Sequence, residues 1–168
     1  FGAGAGAAMV GSRPIVDVQY GDFLFLAMDQ IVNNAAKMRY MSGGEVSVPL
    51  VMRAPIGATG RGSQHAQSLE RYFIGVPGLK VVAPYSGADA KGLLKAAIRD
   101  PNPVVFLENE ILYGRTFEVP TDPDFAVPFG KASILRGGSD VTIVSFGIGL
   151  TYSLQAAEEL AKEGISAE

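Results

Sequence analysis

The stretch LKVVAPYSGADAKGLLKAAIRDPNPVVFL, from Leu79 to Leu107, decides the fold class of this chain. Leu79-Lys-Val-Val-Ala83 is a short β-branched run of the kind that forms a strand. Ser86 follows, with Asp89 three residues on. In that spacing the hydroxyl and the carboxylate each cap a backbone N–H of the other residue, which predicts a helix over 87–99. Pro101 and Pro103 prevent its continuation. Val104-Val-Phe-Leu107 has no polar residue to turn toward water, as expected of a strand covered on both faces. Strand, helix and strand with short connections point to a parallel α/β sheet.

The same alternation extends toward the start of the chain. Ser68 to Ile74 reads as a short helix, and Ala58 to Ser63 is a Gly-rich loop with no periodicity. Val48-Pro-Leu-Val-Met-Arg53 is a nearly continuous apolar run, expected as a strand. Phe23, Leu26, Ala27, Ile31, Ala35 and Met38 recur at close to the 3.6-residue period, so 23–40 is expected to be helical, ending at Ser42-Gly-Gly44. Arg13 to Tyr20 alternates β-branched and polar residues like a strand. Residues 2–10 are small and apolar, suited to a helix pressed closely on a neighbour. Gly2-x-Gly4-x-x-Ala7 formally matches a dinucleotide fingerprint, but no strand precedes it, so helix packing is the better reading.

Toward the end of the chain, 111–128 is punctuated by Gly114, Pro120, Pro123 and Pro128 and reads as an ordered linker. Val141-Thr-Ile-Val-Ser145 is expected as a buried strand and 153–162 as a helix, with Gly164 in the position that closes helix C-termini. Another strand is expected from Ile165. The fold class is therefore α/β, a doubly wound, mostly parallel sheet followed by the start of a second α/β domain.

Composition narrows the chemistry. The chain has 168 residues, no Cys and one His, so a disulfide scaffold, a thiolate metal site and a multi-histidine site are all excluded. A net charge of −3 lacks the basic footprint of a nucleic-acid binder. No run of about 18 apolar residues is present to span a membrane. The 21 Gly and 10 Pro stand in a chain that is 48% hydrophobic, which favours tight loops between short buried elements over disorder. Phe1 lies inside a helical pattern, so the chain is expected to begin within a fold.

Several residues can carry chemistry. His65 lies between a strand and a helix, where parallel sheets place ligands; it is either a hydrogen-bonded surface imidazole or a proton donor or oxyanion partner. Arg61 beside it is either solvated or an anion contact. Glu108 and Glu110 follow a strand, and position alone favours a polar network or subunit contact over acid–base work. Asp29 and Gln30, with Asn33 and Asn34, are more polar than a core helix needs; they either cap neighbouring backbone or face another subunit. Tyr20, Phe23 and Phe25 are either core packing or a flat wall on which a planar heterocycle stacks.

Six motifs in order add a resemblance. Asp29-Gln-Ile-Val-Asn33 with Ala35-Ala-Lys37, Tyr40-Met-Ser-Gly-Gly44, Gln64-His-Ala-Gln67, Pro77-Gly-Leu-Lys-Val-Val82, Asp89-Ala-Lys-Gly-Leu93 and Asn102-Pro-Val through Leu107-Glu-Asn-Glu-Ile-Leu-Tyr-Gly114 resemble the beta subunits of thiamine-dependent 2-oxo acid dehydrogenases. Among these, the pyruvate dehydrogenase decarboxylating component is the most similar. Gln19 to Phe23 resembles the branched-chain enzyme, and acetoin dehydrogenase beta subunits share much of the pattern. The resemblance implies a transketolase-like pyrimidine-binding domain over 1–110, lacking its N-terminal part, a linker at 111–128, and a truncated C-terminal domain over 129–168.

It further implies an α2β2 heterotetramer with thiamine diphosphate at the alpha–beta interface and Mg²⁺ on the alpha subunit. The activity implied is decarboxylation of a 2-oxo acid, pyruvate preferred, with acyl transfer to the lipoyl group of an acyltransferase component and acetyl-CoA formation in the whole complex. Phe23 would pack on the aminopyrimidine and His65 would assist acyl transfer. A potassium ion would rest on the backbone carbonyls of Leu50, Ala97, Ile98, Asp100 and Asn102, with Pro101 a departure from the pattern. The cofactor-activating Glu is expected a few residues before Phe1, so the chain is expected to be partial and inactive alone. A non-catalytic assembly fragment or scaffold is the reading of another class. The expected compartment is the bacterial cytoplasm, preferred over the mitochondrial matrix.

Overall fold

Four parallel strands organise the computed structural model, which describes residues 1–57 and 60–168. Ala58 and Thr59, at the start of the Gly-rich loop, lie outside the described residues. The strands are β1 (Ile15–Asp17), β2 (Val51–Ile56), β3 (Lys80–Val82) and β4 (Val104–Asn109), in the order β1-β2-β4-β3. Val51 aligns with Ile15 on one side and with Val104 on the other, and Lys80 also aligns with Val104. Both faces are covered. One face buries Met52, Ala54, Val105 and Leu107 with Ala5, Leu24, Ile31 and Phe73. The other buries Val51, Val104 and Phe106 with Ala97, against Leu93 and Leu94. The doubly wound parallel sheet expected from the sequence is the observed one.

The helices are α1 (Gly2–Met9), α2 (Ala36–Met41), α3 (Glu70–Phe73), α4 (Gly87–Arg99) and α5 (Gly149–Lys162). At α4 the Ser86 hydroxyl accepts from Asp89 N–H at 3.0 Å and the Asp89 carboxylate accepts from Ser86 N–H at 3.0 Å, so the capping box is complete. At the end of α5, Gly164 takes a φ of +81°. Its N–H donates to Ala161 and that of Ile165 to Leu160, closing the helix as the sequence implies.

Three expectations are corrected. The strand read at 48–53 pairs from Val51 onward: Pro49 has no N–H, and Leu50 N–H closes a local turn onto Val48 O at 2.8 Å. The helical run is present but does not keep one 3.6-residue face. Gly21–Ala27 is wound as tight 3₁₀ turns and Asp29–Ala35 as a wide π segment before α2. Leu26 is therefore 90% exposed, while Leu24 and Ile31 are fully buried. Asp29 opens the wide segment, its carboxylate accepting from Asn33 at 2.9 Å and its carbonyl from Asn34 at 3.3 Å. Finally, 141–145 is not a buried strand. Val141 makes a single parallel bridge to Ala167, and Val144 is exposed. A strand needs paired neighbours, and among the described residues only the 166–168 segment comes alongside.

Residues 115–128 run along α4. Lys91 donates to the carbonyls of Pro120 and of Asp122, Lys95 to that of Pro123, and Arg99 stands 3.6 Å from Asp124. Among the described residues no helix is long and apolar enough to cross a membrane.

Candidate functional site

Loops after the carboxyl ends of β1, β2 and β4 carry the chemistry-bearing side chains, as the architecture of open parallel sheets requires. After β1 the chain turns sharply at Tyr20-Gly-Asp-Phe23. Gly21 is pressed onto the end of β2: a Cβ there would stand 2.6 Å from Ile56 Cγ2 and 3.0 Å from both Leu69 Cδ1 and Pro55 O. Gly57, at φ +96°, turns the chain out of β2 beneath the Asn109 side chain, a conformation that favours glycine.

These turns assemble one wall. The His65 ring meets Tyr20 edge-on at 4.6 Å between centroids and Phe23 at 5.5 Å, and Tyr20 and Phe23 meet at 6.1 Å. Phe23 is 41% exposed, so it lines the surface instead of filling the core; the large apolar side chain this turn buries is Leu24. Phe25 is also exposed and pairs edge-on with Tyr72 at 4.9 Å. Arg61 donates to the Tyr20 hydroxyl at 2.8 Å and lies 3.9 Å from Glu110. The Tyr20 hydrogen bond raises the Arg61 pKa further. His65, Phe23, Tyr20, Arg61 and Glu110 thus come together, although they are spread over 91 positions of chain (20 to 110).

A second cluster lies beside them. Arg53 grips Glu108 with two bonds, at 2.6 Å and 2.9 Å, and reaches Asp17 at 3.3 Å. The Tyr113 hydroxyl donates to the same carboxylate at 2.5 Å. Burial and then the Glu108 bond push the Tyr113 phenol well above its usual pKa, and Glu108 raises that of Arg53. Both Glu108 oxygens are therefore engaged as acceptors in a polar network, as expected from its place in the sequence. The sequence signal for this network was present: Arg53 is the one charge in the apolar run 48–53.

The five carbonyls named for a cation lie elsewhere, around the end of α4. Arg13 Nη1 donates to Ile98 O at 2.7 Å and to Asp100 O at 3.1 Å, and Leu50 O accepts from Val104 N–H at 2.9 Å. The Asp100 carboxylate bonds Lys80 and both N–H groups of Asn102. Burial raises its pKa, but the Lys80 and Asn102 bonds outweigh that and leave it below the usual carboxylate value. The Arg13 guanidinium thus shares two of the five oxygens, each of which keeps a second lone pair. Among the described residues no group of three or more carboxylate or histidine side chains is placed to hold a metal ion.

One part-buried pair, exposed Gln67 on buried Asp22, carries no local sequence signal. Gln67 Nε2 donates to Asp22 Oδ1 at 2.5 Å, joining the His65 loop to the Phe23 turn across 45 positions.

Comparison with known proteins gives a consistent answer. The family model described as transketolase, pyrimidine binding domain, matches residues 1–116, and the transketolase C-terminal domain model matches 130–168. The chain is 59% identical over 168 residues to the pyruvate dehydrogenase E1 component subunit beta of Rhizobium meliloti, covering 99% of this chain and 36% of that protein. It is 55% identical to the mitochondrial subunit beta-1 of Arabidopsis thaliana and to the mitochondrial subunit beta of Caenorhabditis elegans, covering 47% and 49% of them. The chain thus spans about a third to a half of the length of these curated relatives. A solved structure titled split gene transketolase, inactive beta4 tetramer, superposes over 99% of this chain and 51% of its own, with a TM-score of 0.77 and 27% identity.

Proposed function

The chain belongs to the transketolase pyrimidine-binding-domain family, and from that premise we propose that it is the beta subunit of a thiamine diphosphate-dependent 2-oxo acid dehydrogenase acting on pyruvate. The observation that carries the proposal is the wall of Tyr20, Phe23 and His65 at the carboxyl edge of the sheet. Phe23 is held edge-on by two neighbours and is partly open, which fits a planar aminopyrimidine packed against it. Thiamine diphosphate, when bound, supplies the carbanion chemistry that decarboxylates a 2-oxo acid. The chain's own part is to seat the heterocycle on Phe23 and to hold or pass a proton at an imidazole nitrogen of His65 while the acyl group moves to the lipoyl carrier. The diphosphate and Mg²⁺ are assigned to an alpha subunit. Exposed Leu26 and the exposed Phe25–Tyr72 pair offer apolar surface suited to a partner in an α2β2 assembly.

Potassium on the carbonyls of Leu50, Ala97, Ile98, Asp100 and Asn102 remains part of the proposal, with Arg13 sharing two of those oxygens, and no step is given to it. The domain division proposed is 1–110, a linker at 111–128, and 129–168. Bacterial and mitochondrial relatives both occur, and the bacterial cytoplasm is preferred.

The test uses the full-length chain assembled with its alpha subunit. Turnover on pyruvate is expected to exceed that on branched-chain 2-oxo acids and acetoin. His65→Ala is expected to slow acylation of the lipoyl carrier by roughly 10²–10⁴-fold. Full lipoyl acylation in that variant removes the role given to His65. A second reading, assembly without catalysis, has the inactive tetramer of the structural relative in its favour. It wins if the full-length assembly forms but turns over none of the three substrates.

A further inference from the structure

Among the described residues, one buried side-chain polar atom has no hydrogen-bond partner, and it is Asp22 Oδ2. Asp22 is 7% exposed, so its carboxylate bears much of the desolvation penalty of a buried charge. Its other oxygen takes the 2.5 Å bond from Gln67. A buried carboxylate with one oxygen unsatisfied is a poor choice for stability alone, because an apolar residue of similar size would remove the penalty. What the arrangement does achieve is local. Asp22 precedes Phe23 and cannot move inward, since Gly21 is already pressed on Ile56, Leu69 and Pro55. Gln67 lies two residues after His65, and its carbonyl accepts from Gly57 N–H at 3.3 Å. The loop bearing His65 is therefore tied to the end of β2 by its backbone and to the Phe23 turn by its side chain.

We propose that Asp22 is a positioning residue that acts through Gln67 to hold His65 against Phe23 and Tyr20. The link is charge-assisted, which makes it stronger and more directional than a neutral amide pair. It spans the two segments whose rings must stay in register. Arg61 on the Tyr20 hydroxyl fixes the other end of the same loop, so without Asp22 the Gln67 end keeps only its backbone bond to Gly57 and loses its link to the Phe23 turn. The structural part of this inference stands alone; its effect on turnover rests on the role proposed above for His65.

The experiment uses the full-length chain in its alpha–beta assembly and reads two quantities. Hydrogen–deuterium exchange of the peptide covering 60–69 is expected to speed up roughly tenfold in Asp22→Ala, with the β2 and β4 peptides unchanged. Asp22→Asn keeps an acceptor for Gln67 and is expected to recover most of the protection. Gln67→Ala gives the same local loosening and serves if Asp22→Ala fails to assemble. In lipoyl acylation, Asp22→Ala is expected to lower kcat more than it raises KM, and to add almost nothing on a His65→Ala background. Unchanged exchange at 60–69 in both Asp22→Ala and Gln67→Ala overturns the proposal, as does loosening spread evenly over the sheet. Local loosening with undiminished acyl transfer upholds the positioning role and refutes the role assigned to His65.

Discussion

Gly21→Ala isolates the steric argument on which the aromatic wall depends. Gly21 has no left-handed φ, so alanine meets no backbone strain there. The obstacle is space. The new methyl carbon would lie 2.6 Å from Ile56 Cγ2 and 3.0 Å from Leu69 Cδ1 and Pro55 O, where carbon atoms at rest stand about 3.5–4.0 Å apart. Ile56 and Leu69 are both buried, and the third neighbour is backbone, so none of the three can swing away. Forcing a methyl into a packed core typically costs about 1–3 kcal/mol. Lower entropy of the unfolded chain returns about 0.4–1 kcal/mol. The net expectation is destabilisation of roughly 1–2 kcal/mol, with the Tyr20–Phe23 turn pushed off β2. Urea unfolding followed by circular dichroism reads the first quantity as a lower midpoint at unchanged slope. Binding of thiamine diphosphate to the assembled protein reads the second as weaker affinity. A Gly21→Ala protein as stable as the parent, with unaltered cofactor affinity, would refute the reasoning.

Two pH predictions follow from the ion clusters. Tyr113 has its folded pKa raised, so its contribution to stability is complete below the ordinary tyrosine value and is lost as pH rises through the folded one; stability is expected to decline above about pH 10, and Tyr113→Phe to lack the last step of the tyrosine absorbance titration. Asp100 has its folded pKa lowered, so its contribution is present above about 3.8 and lost as pH falls through the folded value. Lys80→Met removes one of the partners that together outweigh burial, and it is expected to lower stability at pH 7 while flattening the acid side of the stability profile in urea titrations from pH 3 to 6. Ser86→Ala removes half of the capping box at α4 and is expected to cost about 1 kcal/mol, read as a lower thermal midpoint.

What the sequence made legible follows from the range over which each signal acts. The helix at 87–99 came out with both ends correct because its cap is a contact three residues long and its stop is a proline. The Gly164 closure of α5 is likewise local. The helical run after Tyr20 was legible in extent but not in face. A 3.6-residue template cannot register a change to 3₁₀ turns followed by a π turn, and it therefore placed exposed Leu26 in the core and missed Leu24. The strand at 141–145 failed for another reason. Its apolar run states that it can pair, but pairing is a property of neighbours, and among the described residues Ala167 alone is bridged to it.

The candidate site divides along the same line. Position after a strand was enough to single out His65, Arg61 and the Tyr20–Phe23 turn, because a parallel sheet directs every such loop to one edge. Their convergence needs two pieces of information that no short window holds. One is the strand order β1-β2-β4, which brings the loops after residues 17, 56 and 109 together. The other is the absence of a Cβ at residue 21, which lets the first of these loops fold down onto β2. Asp22 and Gln67 become partners only once both conditions hold, and neither residue is unusual in its local sequence. The same geometry makes the site sensitive to changes that touch no ligand: a methyl group at 21, or the loss of one carboxylate at 22, acts on the position of His65 before it acts on any chemistry.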